Sequence, residues 1–332
     1  MPKPLSEQVV VVVGASSGIG RAAAVRFAAG GARVVCAARN ARALDAVVAE
    51  IGDRAVAVPT DIADEQQVQA LARAAEERFG RIDTWVNVAG VGVVGRVEDV
   101  PAEEFDRVMR VNYLGHVHGV QAALPALRRA GGGVVIGIAS VEGVRSVPWQ
   151  APYAASKFAL RALYDSLRVE LAQSGDPISV VTVLPAAVDT PFFEHCRYHL
   201  GFQLQPPPPV YAPELVAEAV VTAATRPRRE IPVGGATAVF HLGQRLFPAL
   251  TDALLSVRGL ATFLSRRGEP DNGVDNLEAT PDDSGRVHGS YPGHVVRRSP
   301  FTTLASFVPR PGELLTAALT RLHGREDTAA RR

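Results

Sequence analysis

The chain has 332 residues, of which 47% are hydrophobic and 21% are charged, and this is the balance of a soluble globular protein. A formal net charge of +1 gives no reason to expect nucleic acid or an anionic membrane as a partner. The two cysteines, Cys36 and Cys196, lack the paired spacing of a disulfide scaffold or a thiolate metal site. The first residues have neither the length nor the cleavage site of a signal peptide, so we expect a cytoplasmic protein.

Short β-branched runs alternate with longer alanine-rich segments between residue 8 and about residue 235. The first run, at residues 9–13, is five valines, which fits a strand that is buried on both faces. Further strands are predicted at 33–37, 55–58, 84–88, 133–138 and 178–184, with helices such as 21–29 and 65–79 between them. This alternation predicts an α/β fold, a Rossmann-type doubly wound parallel sheet with helices on both faces and ligands at the carboxyl ends of its strands.

The last third of the chain has a different character. Four prolines at 206–209 predict an extended spacer, and a helix at 213–224 and a strand at 230–233 end a first domain of residues 1–235. A C-terminal extension of residues 236–332 follows. It contains an amphipathic helical stripe at 236–264, interrupted by Pro248, then loop or disorder at 266–300, and a terminal helix at 311–322. A packed helix, a cover over a pocket, a dimer interface and a membrane-surface segment all remain open for it, and the last is not favoured.

A glycine-rich turn joins the first strand to the next helix. Its first glycine permits a sharp bend, its second lets a pyrophosphate approach the backbone, and its third allows the helix to pack closely on the strand. The helix N-terminus also offers free N–H groups to phosphates. A turn that binds nothing is the alternative, and its position in the first βα unit makes that less favourable. The predicted dinucleotide contacts are Gly14, Ser16, Ser17, Gly18, Ile19 and Gly20.

The end of the second predicted strand indicates which dinucleotide binds. NAD-binding units usually carry an acidic residue there, which holds the ribose 2′-hydroxyl. This chain has Ala38 and Arg39 instead, so no carboxylate repels a 2′-phosphate and the guanidinium is able to bind one. We therefore expect NADP(H) as the cofactor. The alternatives are that Arg39 is an ordinary solvated residue and that the cofactor is NAD(H).

Tyr153 and Lys157 are four residues apart in a predicted helix, so their side chains share one face. A free tyrosine has a pKa of about 10, and a lysine ammonium one turn away is expected to lower it. The phenol would then exchange a proton with an alcohol or an alkoxide near neutral pH. Ser140 follows a predicted strand, where its hydroxyl could polarise the same substrate oxygen. Such a pair alone is more often a surface contact, but its order after the glycine turn, Arg39 and Ser140 predicts an active site.

Together these motifs resemble the short-chain dehydrogenase/reductase family over residues 8–235. The resemblance implies that Tyr153 is the general acid/base and that Ser140 orients the substrate oxygen. It implies that Lys157 binds the nicotinamide ribose and that Asn112 holds a water for proton relay. Homo-oligomers, dimers or tetramers, are also implied. Further cofactor contacts implied by the resemblance are Asp61, Ile62, Asn87, Ala89, Gly90, Pro185, Val188 and Thr190, beside Tyr153 and Lys157.

Three positions depart from the family pattern. Val13, Val88 and Ala186 stand where threonine, asparagine and glycine are usual. The first two changes remove side-chain hydrogen bonds between strands, each worth about 1 kcal/mol. None removes a catalytic group, so the expected reaction type does not change.

The predicted function is hydride transfer between nicotinamide and a carbonyl or secondary alcohol carbon, on an apolar small-molecule substrate. An NAD-linked alcohol dehydrogenase and a non-catalytic NADP(H)-binding sensor are the alternatives, and an epimerase is disfavoured by the glycine spacing. No metal is expected, because His116 and His118 point apart on a helix, and His195 and His199 lack a third ligand. The predicted substrate-pocket residues are Glu142, Trp149, Phe192, Phe193 and Tyr198.

Overall fold

The computed structural model describes residues 2–257, 267–281 and 285–308. The described strands are β1 (Val9–Val13), β2 (Arg33–Ala38), β3 (Ala55–Pro59), β4 (Thr84–Asn87), β5 (Val93–Val94), β6 (Gly133–Ile138), β7 (Ile178–Pro185), β8 (Arg197–Tyr198), β9 (Phe202–Leu204), β10 (Val210–Tyr211), β11 (Glu230–Val233), β12 (Arg267–Pro270) and β13 (Val295–Val296). The described α-helices are α1 (Gly18–Ala29), α2 (Ala41–Ile51), α3 (Glu65–Phe79), α4 (Ala102–Met109), α5 (Gly115–Arg129), α6 (Ala151–Ser174), α7 (Pro213–Thr225), α8 (Gly235–Leu246), α9 (Pro248–Ser256) and α10 (Pro300–Phe307).

Seven of the described strands form one parallel sheet in the order β3-β2-β1-β4-β6-β7-β11. The five valines of β1 are at most 1% exposed, because helices cover both faces of the sheet. Side chains of α1, α2 and α7 pack on one face, and side chains of α3, α5 and α6 pack on the other. The predicted α/β fold, a doubly wound parallel sheet, is confirmed.

The strand order reverses between β1 and β4. From β1 the chain proceeds outward through β2 and β3, and it then returns to place β4 on the other side of β1. The loops that follow these two strands therefore diverge and leave a crevice at the carboxyl edge of the sheet. Both the glycine-rich turn after β1 and the loop after β4 open into this crevice.

Part of the C-terminal extension is packed on the sheet domain. Residues 266–300 were predicted as loop or disorder, and the described parts of this range are mostly irregular chain with two short strands. β12 pairs with β9 and β13 pairs with β10. Leu277 is fully buried in the core on the α3 face, and the Oγ1 atom of Thr302 in α10 accepts a hydrogen bond from Gly234 N, 2.9 Å away. The helix predicted at 311–322 lies outside the described residues.

A stripe is predicted at 236–264, and its described part, up to residue 257, forms two helices, α8 and α9, which separate at Pro248 because a proline begins the second one. The rest of the predicted stripe lies outside the described residues. Its leucines at 242, 246, 250 and 254 are all exposed. The stripe therefore faces away from the core in the described structure. Within the described part of the chain, no helix has the length and apolar character that crossing a bilayer requires.

Candidate active site

The glycine-rich turn is built so tightly that side chains would not fit. Gly14 has a φ of +97°, and a Cβ there would lie 2.6 Å from the backbone nitrogen of Ala89. A Cβ on Gly20 would overlap the carbonyl oxygen of Gly14 and lie 2.7 Å from its carbonyl carbon. The turn therefore brings bare backbone to the crevice at the point where helix α1 starts. This is the arrangement that a dinucleotide diphosphate requires.

A groove runs from this turn along the ends of β2, β3 and β4. It includes the predicted contacts in the turn and most of those outside it. Pro185 and Val188 line an adjoining cavity instead. The predicted residues that line the groove are Gly14, Ser16, Ser17, Gly18, Ile19, Gly20, Arg39, Asp61, Ile62, Ala89, Gly90 and Thr190.

Asn87 lies outside the lining of the groove as described. Asn87 is the last residue of β4, and its side chain is fully buried. Its Oδ1 accepts a hydrogen bond from Trp85 Nε1 at 2.9 Å. Its Nδ2 donates to the hydroxyl of Tyr164 at 3.3 Å and to the carbonyl oxygen of His116 at 3.4 Å. The side chain of Asn87 therefore holds the end of β4 in place through buried hydrogen bonds. The residues that follow it, Ala89 and Gly90, line the groove.

Arg39 lines the groove just after the end of β2 and is held there by the C-terminal extension. Its Nη2 donates to the carbonyl oxygen of Asn276 at 2.5 Å, and its Nη1 donates to that of Glu278 at 3.1 Å. Asn276, Thr280 and Pro281 also line the groove. These three residues were not predicted from the sequence, because nothing local in a loop-like segment indicates what it packs against.

Tyr153, Ser140 and Lys157 come together in the adjoining cavity. The Ser140 side chain interacts with the Tyr153 phenol, and its Oγ accepts a hydrogen bond from Glu142 N at 3.1 Å. Lys157 Nζ lies 5.4 Å from the centroid of the Tyr153 ring and donates to the carbonyl oxygen of Ile138 at 2.9 Å. Helix α6 carries both Tyr153 and Lys157 on one face, as their spacing predicts, and Ser140 is the second residue after the end of β6.

The pKa of Tyr153 moves in the direction opposite to the one expected from its sequence neighbour. Burial raises this pKa above its usual value, and the hydrogen bond with Ser140 only partly opposes the rise. The expected lowering by Lys157 is wrong, because Lys157 is itself buried and its own pKa falls to about 8. The proton therefore stays on the Tyr153 phenol, and this is the state that a proton donor needs.

Asn112 lies in one turn of π-helix, Arg110–Leu114, between α4 and α5. Its Oδ1 accepts a hydrogen bond from Val91 N at 2.8 Å, and its Nδ2 donates to Val91 O at 2.9 Å and to Ser156 Oγ at 3.0 Å. A Cβ on Gly90 would lie 3.4 Å from Asn112 Oδ1 and 3.6 Å from Lys157 Nζ. Asn112 therefore fixes the loop after β4 against the lysine, a role that sequence reasoning did not foresee.

The substrate cavity contains three of the five predicted pocket residues, Glu142, Phe192 and Phe193. Trp149 and Tyr198 lie outside its described lining. They pack with Cys196 and Leu204 in a small separate cluster. The Tyr198 hydroxyl donates to the Phe193 carbonyl oxygen at 2.6 Å. Unpredicted residues that line this cavity include Val147, Gln150, Pro207, Pro208, Pro209, Ala236 and Phe240.

Phe192 separates the two cavities. It lines both the groove and the substrate cavity, and its ring centroid lies 5.0 Å from that of Tyr153. One side chain is thus a wall of both spaces at the point where they meet beside the candidate acid.

The histidines considered for metal binding have other contacts. His116 Nδ1 lies 2.9 Å from the Tyr164 hydroxyl, and burial lowers the pKa of His116 well below its usual value. His199 Nε2 lies 2.7 Å from a carboxylate oxygen of Glu104. Among the residues that the structure describes, no group of three or more His, Cys, Asp and Glu side chains is arranged to hold a metal ion.

Glu142 gives the active site a measurable pH signature. Burial raises its pKa from 4.5 to about 8, although Lys157 opposes the rise. The unfolded chain loses this proton near pH 4.5 and the folded protein holds it to about pH 8, so stability falls as the pH rises between these values. The lowered pKa of Lys157 changes the pH dependence of stability only above about pH 8, so below that pH the dependence described here comes from Glu142.

We expect the melting temperature of wild type minus that of Glu142→Gln to fall steadily from pH 5 to pH 8, since glutamine does not titrate. Thermal melts at half-unit pH intervals would measure this difference. Glu76→Gln is the control, because Glu76 forms a surface ion pair with Arg129 in which the oxygen and nitrogen are 2.6 Å apart. A melting-temperature difference that does not vary with pH for Glu142→Gln would contradict the assignment.

Comparisons with known proteins agree with this geometry. The family model described as short chain dehydrogenase matches residues 8–200. An uncharacterized oxidoreductase, YxnA, of Bacillus subtilis is 40% identical over 259 residues, which cover 76% of this chain and 72% of the relative. A solved 3-ketoacyl-(acyl-carrier-protein) reductase from Brucella melitensis, complexed with NADH, has a TM-score of 0.63 and 31% identity, covering 70% of this chain and 99% of its own.

A second solved structure, an alcohol dehydrogenase from Thermococcus sibiricus complexed with 5-hydroxy-NADP, has a TM-score of 0.60 and 28% identity, and the match covers 68% of this chain and 95% of that one. The parallel sheet, the glycine-lined groove and the adjoining Ser-Tyr-Lys cavity define an oxidoreductase that uses a nicotinamide dinucleotide. The chain belongs to the short-chain dehydrogenase/reductase family.

Proposed function

We propose that the protein is an NADP(H)-dependent oxidoreductase that interconverts a carbonyl group and a secondary alcohol on an apolar small molecule. The observation that carries the proposal is the convergence of Tyr153, Ser140 and Lys157 in a cavity that opens onto the glycine-lined groove. A carbonyl carbon in this cavity would lie between a proton donor and the bound cofactor. Such placement of the reacting groups is a large part of enzymatic rate acceleration.

The roles of the side chains follow from their chemistry. When bound, the nicotinamide donates or accepts the hydride. In reduction, Tyr153 gives its phenolic proton to the substrate oxygen, and the Ser140 hydroxyl orients that oxygen. Lys157, which is held by the carbonyl oxygen of Ile138, places a positive charge near the tyrosine ring and steadies the phenolate that remains.

The cavity indicates the class of substrate. Its lining is mostly aromatic, aliphatic and proline side chains, which favour an apolar molecule. Glu142 is an exception, since it is buried and its Oε2 atom accepts no hydrogen bond within the described chain. A buried carboxyl group in that position favours a substrate with a hydrogen-bonding group near the reacting carbon.

Arg39 supports NADP(H) over NAD(H). The residue lines the groove just after the end of β2, and two carbonyl oxygens of the extension hold two of its guanidinium nitrogens. A guanidinium has five N–H donors, so donors are left for a phosphate. Related structures contain NADH, NAD or an NADP derivative, so relatives of this fold use both dinucleotides.

Replacing Arg39 with alanine is expected to raise the NADPH dissociation constant by about tenfold or more, the cost of losing a charge-assisted hydrogen bond, and to leave NADH binding nearly unchanged. Isothermal titration calorimetry with both dinucleotides would measure the effect. Arg42→Ala is the matched control, because Arg42 is exposed at the start of α2. Equal losses of affinity for NADPH and NADH would show that Arg39 does not bind the 2′-phosphate.

The proposed reaction is tested by following NADPH and NADH oxidation at ~340 nm with a panel of aldehydes, ketones and quinones. Turnover with NADPH on an apolar ketone is the expected result. Preferred turnover with NADH would favour an NAD-linked dehydrogenase. Tight binding of NADPH without turnover on any compound would favour a non-catalytic sensor.

A further inference from the structure

Residues 275–281 and 285–290 of the extension are here called the strap. Asn276, Thr280 and Pro281 line the groove, and the carbonyl oxygen of Arg286 contacts Gly18, which also lines it. The family model ends at residue 200, so the strap lies beyond the part of the chain that the family shares. Its contacts divide it into two halves of different character.

The first half, residues 275–281, is firmly anchored. Leu277 is fully buried, and its carbonyl oxygen accepts a hydrogen bond from Arg107 Nε at 3.0 Å. Asp275 pairs with Arg197, whose Nε is 2.8 Å from Asp275 Oδ2, and Asn276 N donates to His195 O at 3.0 Å. Because a buried leucine and several partly buried hydrogen bonds hold this half, it forms a fixed wall of the groove.

The second half, residues 285–290, is held mostly by exposed polar contacts, beside one part-buried hydrogen bond that Arg21 Nη1 donates to the carbonyl oxygen of Gly285. Glu194 makes two of the exposed contacts, accepting from Arg286 Nη2 at 2.6 Å and from Ser290 N at 2.7 Å. His288 Nε2 lies 2.8 Å from Glu214 Oε1, and both of these side chains are exposed. Contacts of this kind contribute little stability each. This half is therefore much easier to detach from the domain than the first half.

One contact of the second half uses the cofactor's own binding group. Gly18 N donates to the carbonyl oxygen of Arg286 at 2.9 Å. Gly18 is the first residue of α1, and its N–H is one of the free donors that a diphosphate would take at this helix end. The carbonyl oxygen and a phosphate oxygen compete for the same hydrogen.

We propose that the strap forms part of the dinucleotide-binding site. In the strap, residues 285–290 are a displaceable cover and residues 275–281 are a fixed wall. The carbonyl oxygen of Arg286 in the cover accepts the Gly18 N–H hydrogen bond, and the diphosphate must displace it to bind. The wall stays and holds Arg39 through the carbonyl oxygens of Asn276 and Glu278. The inference rests on the proposed function, because it requires that a dinucleotide binds in the groove.

Loosening the cover is expected to strengthen dinucleotide binding, because the apparent affinity scales with the fraction of protein in which the donor is free. Glu194→Gln weakens both contacts of Glu194, and we expect NADPH to bind the full-length variant on the order of fivefold more tightly than wild type in calorimetric titrations. Arg286→Gln removes the same ion pair from the other side and is expected to act in the same direction. Glu76→Gln, which breaks a surface pair remote from the groove, is the matched control and should not change the dissociation constant.

Hydrogen–deuterium exchange would measure the displacement of residues 285–290 directly. Saturating NADPH is expected to speed the exchange of residues 285–290 in wild type, and residues 275–281 should exchange no faster. Slower exchange of 285–290 with NADPH, or unchanged or weaker binding by Glu194→Gln and Arg286→Gln, would overturn the cover while leaving the proposed function intact. Failure of every variant, wild type included, to bind NADPH or NADH would overturn the proposed function and the inference with it.

Discussion

Replacing Tyr153 with phenylalanine is expected to lower kcat by about 10²- to 10⁴-fold, because the variant retains the ring and loses the proton donor. The ring would still pack on Phe192, with its centroid 5.0 Å away in wild type, so cavity shape is preserved. NADPH affinity should therefore change little. Steady-state kinetics on the best ketone of the panel, together with NADPH titration, would measure both quantities.

Tyr164→Phe is the matched control, since Tyr164 lies on the same helix and is fully buried. Its hydroxyl contacts Asn87 and His116 and lies outside the described lining of the substrate cavity. The control should cost about 1 kcal/mol of stability and little turnover. If Tyr153→Phe retained wild-type kcat, another group would have to be the acid and the proposed reaction would be withdrawn.

Replacing Gly20 with alanine is expected to destabilise the protein by about 1–3 kcal/mol or more and to weaken dinucleotide binding at least about tenfold. The added methyl group would lie 2.7 Å from the carbonyl carbon of Gly14 and 3.3 Å from the Cα of Ala15. Both neighbours are backbone atoms, so no side-chain rotation relieves the overlap. The glycine turn has to shift, and with it the N–H groups that face the groove.

Gly243→Ala is the control for this substitution. Gly243 is also a helical glycine, but a Cβ there would meet only Thr251 Oγ1 at 3.5 Å, an ordinary contact. Alanine at this partly exposed helical position is expected to be neutral or slightly stabilising. Thermal melts and calorimetric titration of the two variants separate crowding in the turn from a general effect of alanine. Equal behaviour of Gly20→Ala and Gly243→Ala would contradict the packing argument.

Local patterns in the sequence were sufficient for the elements of the sheet domain. The valine run at 9–13 and the helical spacing at 65–79 correspond to β1 and α3 with the same bounds. Helix α1 begins at Gly18, earlier than the predicted 21–29, because glycines hide the start of a helix from propensity arguments. Residue types and spacing predicted these elements because burial in a parallel sheet imposes them at each position.

Contacts between distant parts of the chain were beyond such reasoning. Trp149 precedes the active-site helix in sequence and has a φ of +70°. Its side chain packs in the cluster with Cys196, Tyr198 and Leu204 rather than in the cavity. The expected effect of Lys157 on Tyr153 failed for a related reason, since spacing shows adjacency but not burial, and burial determines both pKa values. The strap was unpredictable because its irregular sequence shows no preference for the surface that it covers.

The position of Phe192 between the two cavities has a thermodynamic consequence. A side chain that is a wall of both spaces cannot move for one ligand without changing the space left for the other. Substrate and dinucleotide affinities are then linked, and the linkage is reciprocal: whatever factor one ligand applies to the binding of the second, the second applies to the first. Truncating this ring would therefore loosen the coupling between the two ligands as well as enlarge the substrate cavity.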